Sequence, residues 1–277
     1  NLAQAITSPG DIILSPNPSY PIHPYGLIIA GASLRHLPAI DDGIFNPDLY
    51  LERLERSIIE SVPAPVAIIV SFPSNPTAQV VSLEFYEEVV NIALKYNVYI
   101  LSDLAYAEIY YDNFPPPSIL QIPKAKEVAV EFTSMSKTYA MAGWRIGFAV
   151  GNKTLINALT RIKSYLDYGA FTPVQVSAAA ALNGPQDCVQ EIRNIYQKRR
   201  DVLINSMARA GWNIPSPKAS MFAWAPIPDK YKDKGSLEFS KELMLRADVA
   251  VSPGVAFGEF GEGFVRVGLV ENEQRIR

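Results

Sequence analysis

Lys137 closes Ser134-Met-Ser136-Lys137, directly after the apolar run Val128–Thr133, and eight residues further on Arg145 stands in Gly143-Trp-Arg145-Ile-Gly147. A lysine at the end of a buried strand, among small hydroxyl residues and glycines, is where a Schiff-base lysine would stand: out of bulk water and close to other cations. Two more apolar runs end on polar groups. Val66–Phe72 leads into Asn75-Pro-Thr-Ala78, and Val98–Leu101 into Ser102-Asp103-Leu-Ala-Tyr106. A pyridinium acting as an electron sink needs a carboxylate for its nitrogen, and a phosphate needs an arginine and hydroxyls. Singly, each residue has an ordinary reading: Asp103 could cap a turn, Asn75-Pro76 could open a loop, and Lys137 could lie on the surface. Together they place an amide, a carboxylate with a phenol, a lysine with hydroxyls and a guanidinium on four neighbouring strand ends.

The elements that carry them alternate. Asp11–Ser15, Ser33–Leu37, Val66–Phe72, Val98–Ser102, Glu127–Thr133 and Ile146–Val150 read as strands, several continuously apolar as in a sheet buried on both faces. Between them lie helical patterns such as Leu83–Tyr96, with Ser82 as its N-cap. This order predicts an α/β fold with a doubly wound, mostly parallel sheet, whose ligands bind at the carboxyl ends of the strands. After Gly151 the pattern changes to helices over Lys153–Tyr165, Val174–Leu182 and Asp187–Ala210. Strands at Ser220–Trp224, Val249–Ser252 and Phe264–Gly268 and a helix at Leu237–Arg246 follow. Residues 1–190 are expected to form a large domain and residues 191–277 a smaller C-terminal α+β domain, with the boundary inside the long helix.

Composition narrows the chemistry. The 277 residues are 48% hydrophobic and 19% charged, a globular profile. One cysteine, Cys188, and two histidines, His23 and His36, cannot build a thiolate or imidazole metal cluster, and a lone cysteine forms no internal disulfide. A reducing, cytoplasmic setting fits. The net charge is −3, and Lys198-Arg199-Arg200, the nearest approach to a basic run, reads as the solvated face of a helix, so no nucleic-acid partner is expected. No apolar stretch approaches the roughly 18 residues of a membrane span, and no membrane partner is expected.

At the residues quoted, the chain resembles the class I/II pyridoxal-phosphate-dependent aminotransferases of fold type I. Ser-x-Ser-Lys is followed by Gly-x-Arg-x-Gly, and before them come Pro18-Ser-Tyr20-Pro, Asn75-Pro-Thr and Asp103-x-x-Tyr106, in the family's order. The segments Arg161-Ile-Lys-Ser-Tyr to Phe171-Thr-Pro, Pro217-Lys-Ala-Ser-Met221 and Ser252-Pro-Gly254 are most similar to bacterial alanine (glutamate–pyruvate) transaminases, with diaminopimelate-type aminotransferases close by. The resemblance implies pyridoxal 5′-phosphate as cofactor. Lys137 would bond it and, once released by substrate, carry the α-proton. Asp103 would pair with the ring nitrogen, Asn75 and Tyr106 with the phenolic oxygen, Ser134, Ser136 and Arg145 with the phosphate, and Tyr20 would stack on the ring. Arg266, in Val265-Arg-Val-Gly268, matches the arginine that takes the substrate α-carboxylate. The reaction implied moves an amino group between an L-amino acid, alanine or glutamate favoured, and a 2-oxo acid. The resemblance also implies a homodimer with active sites at the subunit interface. A related β-lyase, or a non-catalytic fragment keeping part of the pocket, are the competing readings.

Two departures from the family pattern stand out. Ala78 occupies a position that is most often glycine, a difference expected to cost little. The chain also opens at Asn1, inside what reads as the end of a helix, and closes on an amphipathic Glu271–Arg277. The family's N-terminal region, with its first core strand and a glycine-rich turn at the phosphate, is expected to precede it, and a terminal helix to follow.

Overall fold

The computed structural model describes residues 1–41 and 43–277. Six strands make the main sheet: β1 (Ile12–Asn17), β2 (Ser33–Pro38), β3 (Ala67–Ser71), β4 (Tyr99–Asp103), β5 (Ala129–Ser134) and β6 (Gly147–Gly151). Their spatial order is β2-β1-β3-β4-β5-β6. The first five are parallel and β6 returns antiparallel to β5.

Successive side chains on a strand point to opposite faces, so a sheet covered on both sides needs apolar residues at every position. Ile68, Val70 and Ile100 meet the helices Pro47–Glu60 and Leu83–Tyr96 on one face. Ala67, Ile69 and Leu101 meet the helices Leu2–Ile6, Ile22–Ile29 and Lys153–Leu166 on the other. The helix Leu83–Tyr96 has the predicted limits: the Ser82 hydroxyl accepts the Phe85 N–H at 3.3 Å, and Asn97 ends it in the left-handed region at φ 52°.

A second, antiparallel sheet comprises β7 (Phe222–Pro226), β8 (Ser252–Pro253) and β9 (Phe264–Gly268), in the order β7-β9-β8. Leu203 from the unbroken helix Asp187–Arg209 and Phe239 from Gly235–Ala247 cover it, joined by Ile109 and Tyr111 from the connection leaving β4. Among the described residues no helix is long and apolar enough to cross a membrane.

Three expectations need correction. The strand expected from Glu127 starts at Ala129, because Ala125–Val128 forms a helical turn that buries Ala125 and Val128 against the first core cluster. The strand expected over Val249–Ser252 is only Ser252–Pro253. Lys198-Arg199-Arg200 is not a solvated face. Each helical residue turns about 100° from the last, so Lys198 is exposed while Arg200 is buried. The Arg200 guanidinium donates to both oxygens of Asp112 at 2.8 Å, to Asp201 at 2.7 Å and to the Pro217 carbonyl at 3.2 Å. It also lies over the Tyr111 ring at 4.8 Å.

Candidate active site

The carboxyl ends of β1, β3, β4 and β5 lie along one edge of the main sheet, and the antiparallel turn of β6 brings its start to the same edge. Register aligns Ser71 with Asp103, Asp103 with Phe132, and Ser134 with Gly147. A side chain on Gly147 would put its Cβ 2.6 Å from the Thr133 carbonyl oxygen, so glycine allows this close approach of β6 to β5.

Asp103, the last residue of β4, has both carboxylate oxygens engaged. Oδ1 accepts the Ala105 N–H at 3.1 Å, and Oδ2 accepts from His23 Nε2 at 2.8 Å. His23 lies in the helix that follows Pro21 and is 7% exposed, with the Tyr20 ring edge-on to it at 6.1 Å. With Nε2–H donating, its Nδ1 is buried without a partner among the described residues. Tyr106, three residues past Asp103, is buried with its ring edge-on to Phe222. Burial, reinforced by the Asp103 charge, pushes its phenol well above the ordinary tyrosine range, while the Arg266 charge and the neighbouring Asn75 side chain act the other way.

Asn75 is buried in the loop after β3, where the Ser74 N–H donates to the Gln79 carbonyl and the Ala78 N–H to the Ser74 carbonyl. Ala78 closes that turn in the left-handed region at φ 55°. Glycine adopts this conformation freely and alanine does not, so the expectation that alanine costs little here is too lenient.

Arg266 reaches this loop from the second sheet, across 191 residues of sequence. Its Nη1 donates to Asn75 Oδ1 at 2.7 Å and its Nη2 to Ser252 Oγ at 3.3 Å. The guanidinium carbon lies 4.1 Å from the Phe222 ring centre and 4.6 Å from that of Phe257. Removal from water lowers its proton affinity, and the Tyr106 and Tyr20 phenols work against that. At these proton affinities it stays charged.

The remaining predicted residues occupy the β5–β6 end of the edge. Lys137 is half-buried in the single helical turn Met135–Thr138, with no hydrogen bond or ion pair among the described residues. Ser134 caps that turn, its Oγ accepting the Ser136 N–H at 3.2 Å. Arg145 is exposed, in the left-handed region at φ 53°, and donates to the Ala142 carbonyl at 3.1 Å. Direct contacts or hydrogen bonds therefore join Asn75 to Arg266 and Asp103 to His23, with Tyr106 and Tyr20 within electrostatic reach. Lys137, Ser134, Ser136 and Arg145 share the edge without a hydrogen bond into that cluster.

Sequence reasoning missed His23, Ser252, Phe222 and Phe257. For His23 one signal existed, its position three residues after Tyr20 at the start of a helix. Phe222 and Ser252 become neighbours of Arg266 only through the order of β7, β8 and β9 in space, and Phe257 through the turn Gly254–Phe257 that follows β8.

Residues 1–276 match the family model for aminotransferase class I and II. The chain belongs to this aminotransferase family. It is similar over its whole length to the protein AatC of Rhizobium meliloti, at 57% identity and 67% of that protein's length. It is likewise similar to the glutamate-pyruvate aminotransferase AlaC of Escherichia coli, at 55% identity and 66% of its length. The chain thus spans about two thirds of these curated relatives. Among solved structures, apo-BacF from Bacillus subtilis superposes with a TM-score of 0.92 at 34% identity, covering all of this chain and 72% of that one. The α/β fold with its mostly parallel sheet and the general aminotransferase assignment both accord with this membership.

Proposed function

We propose that this protein is a pyridoxal-phosphate-dependent aminotransferase that moves an amino group between an L-amino acid, alanine or glutamate favoured, and a 2-oxo acid. The observation that carries the reading is the 2.7 Å bond from Arg266 to Asn75. It holds a half-buried guanidinium over a sheet edge that also carries Asp103, Tyr106 and Lys137. The 55% identity to AlaC, a glutamate-pyruvate aminotransferase, supports the substrate choice.

The donor set fits this cofactor. Asp103 offers a carboxylate fixed by His23 and the Ala105 N–H, suited to keeping a proton on a ring nitrogen. Tyr106, kept protonated by burial, and the Asn75 amide offer hydrogen-bond donors for a phenolic oxygen. When bound, pyridoxal phosphate supplies an electron sink for the charge left at the substrate α-carbon. Lys137 would hold the cofactor covalently and, once released by substrate, would carry the α-proton from the substrate Cα to C4′ of the cofactor. Ser134, Ser136 and Arg145 would hold the phosphate, and Tyr20 would cover one face of the ring. Arg266 has five N–H donors, and those not given to Asn75 and Ser252 fork onto the substrate α-carboxylate. Residues 1–190 would serve as the large cofactor-binding domain and 191–277 as the small C-terminal domain, which carries Arg266, in a cytoplasmic homodimer.

The test is optical. Protein mixed with pyridoxal phosphate and dialysed is expected to keep a visible absorbance band that Lys137→Ala abolishes; a colourless protein defeats the catalytic reading. Adding L-alanine or L-glutamate is expected to bleach that band, and restoration by a 2-oxo acid separates transamination from β-elimination. Bleaching by LL-diaminopimelate alone would replace the alanine/glutamate assignment.

A further inference from the structure

Asn17 ends β1 and is 2% exposed. Its carboxamide oxygen accepts the N–H of Phe260 at 3.4 Å, 243 residues away. Two residues later the Ser19 N–H donates to the Phe257 carbonyl at 2.8 Å. Between these bonds lies Gly258, at φ +128°, so close to Asn17 that any Cβ would stand 2.0 Å from its Oδ1 and 2.6 Å from its Cγ. Only a residue without a side chain permits this seating. The turn 257–260 is thereby keyed onto the carboxyl end of β1.

That turn carries one wall of the Arg266 site. The Phe257 ring lies 4.6 Å from the guanidinium and edge-on to Trp224, while Phe222 lies on the guanidinium at 4.1 Å. An arginine between aromatic rings keeps little freedom to swing, and bidentate recognition of a carboxylate depends on where its plane points. We infer that Asn17 and Gly258 form a positioning latch that sets the Phe257 wall, and through it the plane in which Arg266 meets a carboxylate. The latch rests on the reading of Arg266 as the carboxylate-binding residue. Neither residue is among those assigned to substrate or cofactor, and the latch couples the end of β1, which leads into Tyr20 and His23, to the turn between β8 and β9 in the second sheet.

The test uses propionate, a carboxylate without an amine, titrated calorimetrically into the protein. Asn17→Ser and Gly258→Ala are each expected to weaken propionate about tenfold. In an Arg266→Lys background, which has lost the fork, the same changes are expected to add less than about twofold. An equal weakening in both backgrounds, or none in the first, overturns the latch. Arg266→Lys leaving propionate affinity intact would instead defeat the reading of Arg266 itself. A measurement without substitution keeps the inference open to refutation if a variant does not fold. Because coupling is reciprocal, the Phe260 amide is expected to exchange several-fold more slowly when propionate is bound. Unchanged exchange at that amide overturns the latch.

Discussion

Replacing His23 by leucine separates the orientation of Asp103 from the stability of the fold. The wild-type bond from Nε2 to Asp103 is 2.8 Å long, from a ring 7% exposed to a side chain 29% exposed. A hydrogen bond to a charged acceptor contributes about 1.5–3 kcal/mol. Water can reach the released oxygen, and the Ala105 N–H still holds the other, so the lower end applies. About 1.5 kcal/mol is roughly a tenfold loss in affinity for a cofactor that needs Asp103 in place. Stability should not follow. The wild-type ring buries Nδ1 without a partner among the described residues, an arrangement that costs about 1–3 kcal/mol, and leucine removes it. The expected result is cofactor affinity down about tenfold, followed by the visible band on titrating apo-protein, with the urea midpoint shifted by less than about 1 kcal/mol equivalent. Unchanged affinity would refute the orienting role. A fall in affinity matched by an equal fall in stability would reduce His23 to a packing residue.

Other perturbations test the frame around the site. Ala78→Gly relieves a left-handed alanine at about 1–2 kcal/mol and adds about 0.4–1 kcal/mol of unfolded-chain entropy, so a gain of about 0.5–1 kcal/mol is expected in the denaturation midpoint; a loss would show that the methyl group packs better than its backbone suggests. Arg200→Leu strips the Pro217 carbonyl of a donor and releases Asp112 and Asp201 to water, with an expected cost of about 2 kcal/mol by urea denaturation. The Asp112 carboxyl is held below its usual range, chiefly by the Arg200 hydrogen bonds. Its contribution is therefore present above the unfolded value near 4 and lost as pH falls below it. The acid arm of the stability profile should flatten slightly in Arg200→Leu, and an unchanged arm would remove Asp112 from the account. Glu131 accepts from Ser102 Oγ, Ser118 Oγ and the Ile119 N–H, and Glu131→Leu leaves the buried Ile119 N–H with no acceptor; a cost of about 1–3 kcal/mol in thermal or urea unfolding is expected, with cofactor affinity unchanged.

Much of the main sheet was legible because burial on both faces forces continuous apolar runs. Val66–Phe72 and Val98–Ser102 bracket β3 and β4 to within a residue or so, and the Ser82 cap fixed the start of its helix. The helix Pro47–Glu60, not singled out from the sequence, nonetheless had a local signal, Asn46 as cap and Pro47 in the first turn, with the Leu49 N–H bonded to Asn46 Oδ1 at 3.1 Å. The short helix Ile22–Ile29 did not, since Pro24 and Gly26 both lie inside it. Polar residues following apolar runs were legible as a candidate site because a parallel sheet sends its carboxyl ends to one edge. Arg200 was misread because three consecutive charges on a helix cover most of a turn, and one of them had to face inward.

Periodicity reports which face of an element is buried, never which element buries it. That is why Asp103 could be singled out and His23, 80 residues earlier, could not: the pair exists only because β4 and the helix after β1 meet at the same edge. The same limit applies more strongly to Arg266. Its motif marks it, but its direction depends on Asn75, Ser252, Phe222 and Phe257, drawn from three separate stretches of chain. Four independent contacts converging on one side chain constrain it more than any one could, since each removes a different rotation. Chemistry at this edge therefore depends on two sheets holding their relative position. Glycine at 258 and asparagine at 17, unremarkable in composition, are where that dependence becomes a steric requirement.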